Sequence, residues 1–180
     1  MSLQRVSVAV PFVSEIDPEA FVPVFHDWIR RGAVEGLLID VARYGHVQEG
    51  PGIMLVGHEG DYAIDLLGGR TSLRYTLKRD APGTPQELVA RALRRLTGAI
   101  AEAREVPGVE LDEREVDVRV YDRLHAPNTP ETAALLTGEI EAGVVDVLGD
   151  VTVSSRLLED DPREPFGLRV AVDAAPALAG

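Results

Sequence analysis

The stretch from Ile53 to Lys78 constrains this chain more than any other, because short alternating segments joined by glycine-bearing turns sort nearly every residue onto one of two faces. A Gly-Gly pair supplies the positive φ values that a two-residue hairpin turn requires, so Leu67-Gly68-Gly69-Arg70 is read as a tight turn. That register sets Leu66 opposite Thr71, Ile64 opposite Leu73 and Tyr62 opposite Tyr75 on an apolar face. It sets Asp65, Ala63 and Asp61 opposite Ser72, Arg74 and Thr76 on a charged face. A second turn at Glu59-Gly60 would bring Leu55 to Ile64 and Ile53 to Leu66, with Met54, Val56 and His58 on the charged side.

The flanking segments extend the pattern. Val6 to Phe12 alternates as a strand, and Pro11 places it at a sheet margin or strand end. A helix is expected from Pro23 to Arg31, burying Phe21, Phe25, Trp28 and Ile29 and stopping at Gly32. Leu37 to Ala42 reads as a strand, followed by a glycine-punctuated loop from Arg43 to Gly52. Thr84-Pro85-Gln86-Glu87 is a capping-box signature, and the helix it opens runs to about Arg104. On that helix Arg91, Arg94 and Arg95 lie opposite the apolar stripe. Glu115 to Tyr121 is a half-buried strand, Asn128-Thr129-Pro130-Glu131 opens a further helix, and Val151 to Leu157 with Phe166 to Val172 form a closing hairpin.

This order is an α+β pattern: a single, mostly antiparallel sheet of about seven or eight strands, with three helices packed mainly on one face. Residues 1–173 are read as one domain and 174–180 as an unstructured tail. At 180 residues such a domain buries roughly 70 % of the surface its unfolded chain exposes, enough to need no covalent staple.

Composition narrows the chemistry. The chain has no cysteine, which excludes disulfides, thiolate zinc sites and thiol nucleophiles and leaves oxygen and imidazole groups to do any work. A formal charge of -12 argues against wrapping nucleic acid, whose phosphates demand a concentrated basic surface. No apolar run is long enough to span a bilayer, and the first residues lack a signal-peptide core, so a cytoplasmic protein is expected. Lys78 is the sole lysine among 18 basic residues, a bias consistent with a high-GC bacterial genome.

Several side chains could carry chemistry. In the assumed register His58 and Asp61 close a turn within roughly 5 Å Cβ to Cβ, close enough for the carboxylate to orient the imidazole as a general base. Asp40 and His46 broaden that cluster, although the spacing matches no metal-ligand motif, and no metal or cofactor is predicted. The bland alternative is a solvated turn in which Asp61 pairs diagonally with Arg74. Arg123, His125 and Asn128 stand where a strand leads into a helix N-terminus, where free amides attract carboxylate or phosphate. There the alternative is capping by Thr129 and a surface pairing of Arg123 with Asp122. Met54, Val56 and Ala63 add apolar surface to the charged sheet face, the mark of a protein partner or a homodimer seam.

Three readings of function follow. The first is a non-enzymatic interaction or self-association module. The second is an enzyme or small-molecule binder with His46, His58, Asp40 and Asp61 in one pocket. The third is a regulator that takes a small anion at Arg123, His125 and Asn128.

Overall fold

The chain folds as β1 (Val6–Pro11), α1 (Phe21–Arg31), β2 (Leu38–Arg43), β3 (Pro51–Gly57), β4 (Gly60–Asp65), β5 (Ser72–Leu77), α2 (Pro85–Arg104), β6 (Glu115–Val120), α3 (Pro130–Leu148), β7 (Thr152–Leu157) and β8 (Phe166–Asp173). The computed structural model describes residues 3, 5–45, 51–66, 69–78 and 81–173. The loop residues 46–50, the turn residues Leu67 and Gly68 and the tail 174–180 therefore lie outside the described residues. All eight strands join one antiparallel sheet in the order β2-β3-β4-β5-β1-β6-β8-β7, an α+β architecture.

The N-terminal strand is central, not marginal: β1 lies between β5 and β6. Pro11 does not forbid this, because it is the last residue of the strand, where its ring nitrogen owes no ladder bond while its carbonyl still accepts from Asp112 N at 2.8 Å. Upstream of α1 a single 3-10 turn, Pro18–Ala20, feeds directly into the helix. The helix thus starts before Pro23, which falls in the first turn, where backbone N–H groups have no intrahelical partner to lose.

The β4–β5 register pairs Tyr62 with Tyr75, Ile64 with Leu73, Ala63 with Arg74 and Asp61 with Thr76, as the alternation requires. Leu66 lies beyond the end of β4 and is 36 % exposed, so the apolar row stops one residue pair earlier than expected. The β3–β4 register differs by two residues from the expected one: Leu55 meets Tyr62 and Ile53 meets Ile64, so the turn is His58-Glu59 and not Glu59-Gly60. Glycine is needed beside this turn, where the strands approach too closely for side chains. A Cβ on Gly57 would lie 2.4 Å from the Gly60 carbonyl oxygen, and one on Gly60 would lie 2.3 Å from the Tyr75 hydroxyl. A slip of two preserves which face each residue occupies, so the sorting of faces survives the error.

One face of the sheet carries Val6, Val8 and Val10, Ile53 and Leu55, Tyr62 and Ile64, Leu73 and Tyr75, Val116, Val118 and Val120, and Phe166, Leu168 and Val170. These residues join Phe21, Phe25 and Trp28 of α1, Leu93 and Leu96 of α2, and Leu136 and Ile140 of α3 in a single buried cluster. A chain of touching rings, Phe12, Phe21, Phe25, Trp28, Tyr62 and Tyr75, runs through it with centroids 4.7 to 6.5 Å apart. α2 begins with the expected capping box, since Glu87 N donates to Thr84 Oγ1 and Thr84 N donates to Glu87 Oε2.

The opposite face is polar yet closely packed. Arg169 makes a two-pronged bond to Asp117 directly across the strand pair, 2.7 Å on each prong. Arg74 reaches Asp65 at 2.7 Å and the Tyr121 hydroxyl at 3.0 Å. Arg70 and Arg169 flank Glu115, and the Arg70 hydrogen bond holds that carboxyl below the usual range. Ser7, Ala9 and Ala63 stand opposite Arg119 and Arg74 and are buried, because long arginine stems cover short neighbours.

Candidate functional site

A concavity of about 510 Å³ opens at the tip of the β3–β4 turn. His58 and Glu59 form one wall, Tyr75, Leu77 and Lys78 at the end of β5 a second, Ala81 and Pro82 a third, and Arg91 and Arg95 of α2 the fourth. The volume falls in the range that holds a small ligand. Arg91 and Arg95 are four residues apart on one helix and so project to the same side. The Thr84 cap fixes where that helix starts, and Arg91 Nη2 ties it to the approach by donating to the Pro82 carbonyl at 3.0 Å.

Among the described residues three basic side chains thus line the pocket, Lys78, Arg91 and Arg95, against one carboxylate, Glu59. Lys78 Nζ donates to the Gly57 carbonyl at 2.5 Å and lies 3.3 Å from Asp61 Oδ1. The Arg95 side chain is only 14 % exposed and touches Glu59 Oε2 at 2.6 Å through Nη2 and Glu35 Oε1 at 2.8 Å through Nη1. The Glu35 contact is close but badly directed, leaving Nη1 buried without an aligned hydrogen-bond acceptor. Arg91 has no carboxylate within ion-pair distance among the described residues. Burial pushes the Tyr75 phenol up to about 12, and the nearby Arg95 charge offsets this only in part. Tyr75 is therefore a neutral hydroxyl at physiological pH, a donor and not a base.

The sequence-predicted residues separate. His58 lines the pocket. Asp61 belongs to the opposite, polar face of β4, where its Oδ1 accepts from Gly57 N at 3.1 Å. Asp40 sits exposed on the marginal strand β2 opposite Val56, and its Oδ1 accepts from Val41 N at 2.7 Å. Neither aspartate lines the pocket, although Asp61 touches its rim through Lys78, 3.3 Å away. His46 lies outside the described residues. Asp61 pairs with Lys78, and it is Asp65 that takes Arg74.

The second predicted cluster has a different geometry from the one imagined. The Asn128 amide spends both hydrogens on the Glu159 and Asp161 carbonyls, at 3.0 and 2.9 Å, clamping the loop between β7 and β8. His125 Nδ1 lies 2.9 Å from Asp122 Oδ1, a histidine–carboxylate pair three residues apart, with Asp122 buried and the imidazole half exposed. Arg123 is exposed in the same turn. The seam expected on the polar face is weaker than its composition suggests: Ala63 is 2 % exposed, and Met54 and Val56 are half-buried.

No short spacing in the sequence joins Lys78 to the Arg91, Arg94 and Arg95 group. Arg94 points to solvent, whereas Arg95 is covered, and only the β3–β4 turn lying beside α2 makes that difference. Among the described residues no three His, Asp or Glu side chains converge to hold a metal ion. No helix among them is long and apolar enough to cross a membrane. No protein-family profile matches the chain, and no curated protein resembles it in sequence.

Proposed function

We propose that this chain is a binding module for a small anionic molecule, held in the pocket between the β3–β4 turn, the end of β5 and α2. The observation that carries the reading is the gathering of Lys78, Arg91 and Arg95 with His58 around one concavity, in a chain whose formal net charge is -12. A solvated basic helix face would not enclose its cations against Tyr75, Leu77 and Pro82. The guanidinium groups supply directed donors for a carboxylate or phosphate, and the Tyr75 and Leu77 wall accepts an apolar body. None of the described residues lining the pocket is a nucleophile poised beside a base, so binding is the function favoured over catalysis.

Thermal denaturation with and without inorganic phosphate or a small dicarboxylate tests this. A ligand at about a hundred times its Kd adds about 2.7 kcal/mol of stability, worth roughly 5–10 °C in a domain of this size. Arg91→Ala is expected to abolish the shift while leaving the unliganded melting temperature in place. Absence of any shift across a panel of such anions, or a shift that Arg91→Ala retains, would reject the reading.

Self-association is a second reading, favoured by a different observation. Among the described residues β2 ends the sheet with an unpaired edge, and Leu37, just before it, and Ile39, within it, are 68 % and 58 % exposed. A second copy adding its own β2 would cover both. Size-exclusion chromatography with light scattering decides it: a dimer that Ile39→Lys converts to a monomer supports the reading, and a monomer at all concentrations removes it.

A further inference from the structure

The way Glu59 and Glu35 occupy Arg95 carries a further step, which rests on the anion-binding reading above. Arg95 is a nearly buried guanidinium whose outward nitrogen is taken by Glu59, a residue that is itself 58 % exposed. Its other terminal nitrogen has Glu35 beside it and no aligned acceptor. We propose that Glu59 is an intramolecular plug: its carboxylate stands in for the anionic group of the ligand and must leave Arg95 before the ligand can bind.

The backbone makes this a side-chain movement and not a loop rearrangement. His58 N donates to the Leu37 carbonyl at 2.8 Å, and the Glu59 carbonyl accepts from Lys78 N at 3.0 Å, so both turn residues are pinned. Only the Glu59 side chain, facing solvent, is free to rotate. The plug also explains how a covered cation is tolerated. Without Glu59, Arg95 would keep only the poorly directed Glu35 contact, whereas a second, mobile carboxylate completes its pairing at the small net energy typical of an exposed ion pair. A ligand able to displace it needs to exceed one carboxylate, and Arg91, which has no carboxylate partner among the described residues, supplies the second attachment. The pocket therefore selects dianions, a phosphate monoester or a dicarboxylate, over monocarboxylates of the same size.

Isothermal titration of the full chain with inorganic phosphate separates the possibilities. Glu59→Gln and Glu59→Ala are both expected to bind phosphate about two- to five-fold tighter than the parent chain, the range an exposed ion pair accounts for, and acetate is expected to bind measurably weaker than phosphate. Binding by the parent that Arg91→Ala removes, with affinity unchanged or weakened in both Glu59 variants, overturns the plug and leaves the pocket standing. Absence of phosphate binding in the parent and in every variant overturns both. Binding that appears only in the Glu59 variants supports the plug most directly.

Discussion

Replacing Asp65 by alanine tests whether the polar face of the sheet is a closed network or merely a wet surface bearing charges. Arg74 and Asp65 sit 2.7 Å apart with side chains only 9 % and 5 % exposed, and Arg74 Nε has no acceptor among the described residues. Removing Asp65 leaves a guanidinium in a protein environment with the Tyr121 hydroxyl as its remaining hydrogen-bond partner. Breaking one side of a buried pair costs about 3–5 kcal/mol, against about 0–1 kcal/mol for a pair in water. For a domain of this length that corresponds to a fall of roughly 6–20 °C in melting temperature. Arg74→Met is expected to cost less, because Asp65 keeps a further interaction of its own. The double variant is expected to recover part of the loss, with a coupling of about 1–3 kcal/mol. Urea unfolding followed by fluorescence of the sole tryptophan, the buried Trp28, provides the readout. A cost below about 1 kcal/mol for Asp65→Ala would mean that water solvates this face, and the closed-network argument would fail.

Two further outcomes follow from the wall of the pocket. Gly60→Ala places a methyl group 2.3 Å from the Tyr75 hydroxyl and 2.6 Å from the Thr76 carbonyl oxygen, so it is expected to cost about 1–3 kcal/mol and to change the near-ultraviolet circular dichroism of the tyrosines; an unaltered spectrum and melting point would refute that contact. Burial pushes Tyr75 up to about 12 and Tyr62 higher still, above the ordinary value of 10.0, so the folded state holds protons there that the unfolded state has released. Stability is then intact below pH 10.0 and falls as pH rises toward 12, by up to about 2.7 kcal/mol per pH unit for both groups together, and a tyrosinate absorbance titration showing all four tyrosines ionising near pH 10.0 would contradict it.

The parts of this fold that sequence revealed were those governed by local rules. Alternation put Tyr62, Ile64, Leu73 and Tyr75 on one face and Asp61, Asp65, Ser72 and Arg74 on the other, and the observed register agrees pair by pair. Thr84, Pro85 and Glu87 announced the start of α2 because a cap is a contact among neighbours in the chain. Sequence alone puts the β3–β4 turn one residue late, a register slip of two, because both placements keep the same parity and parity is all that alternation reports. The choice between them rests on close approach at Gly57 and Gly60, which becomes visible only when Tyr75 of the next strand is in place.

Of the candidate pocket, His58 was the one residue named beforehand as a candidate site residue. Its companions were invisible as a group because Lys78, Arg91 and Arg95 reach it from a strand end and a helix whose packing no short spacing encodes. The amino-acid order by itself determined which residues face oil and which face water, since a strand repeats every two residues and a capped helix every 3.6. Tertiary structure alone decided that β1 is central, that Asp65 and not Asp61 answers Arg74, and that Glu59 meets Arg95. Those outcomes depend on long-range burial and on where whole elements dock, energies shared among many residues and written in no single stretch of the chain.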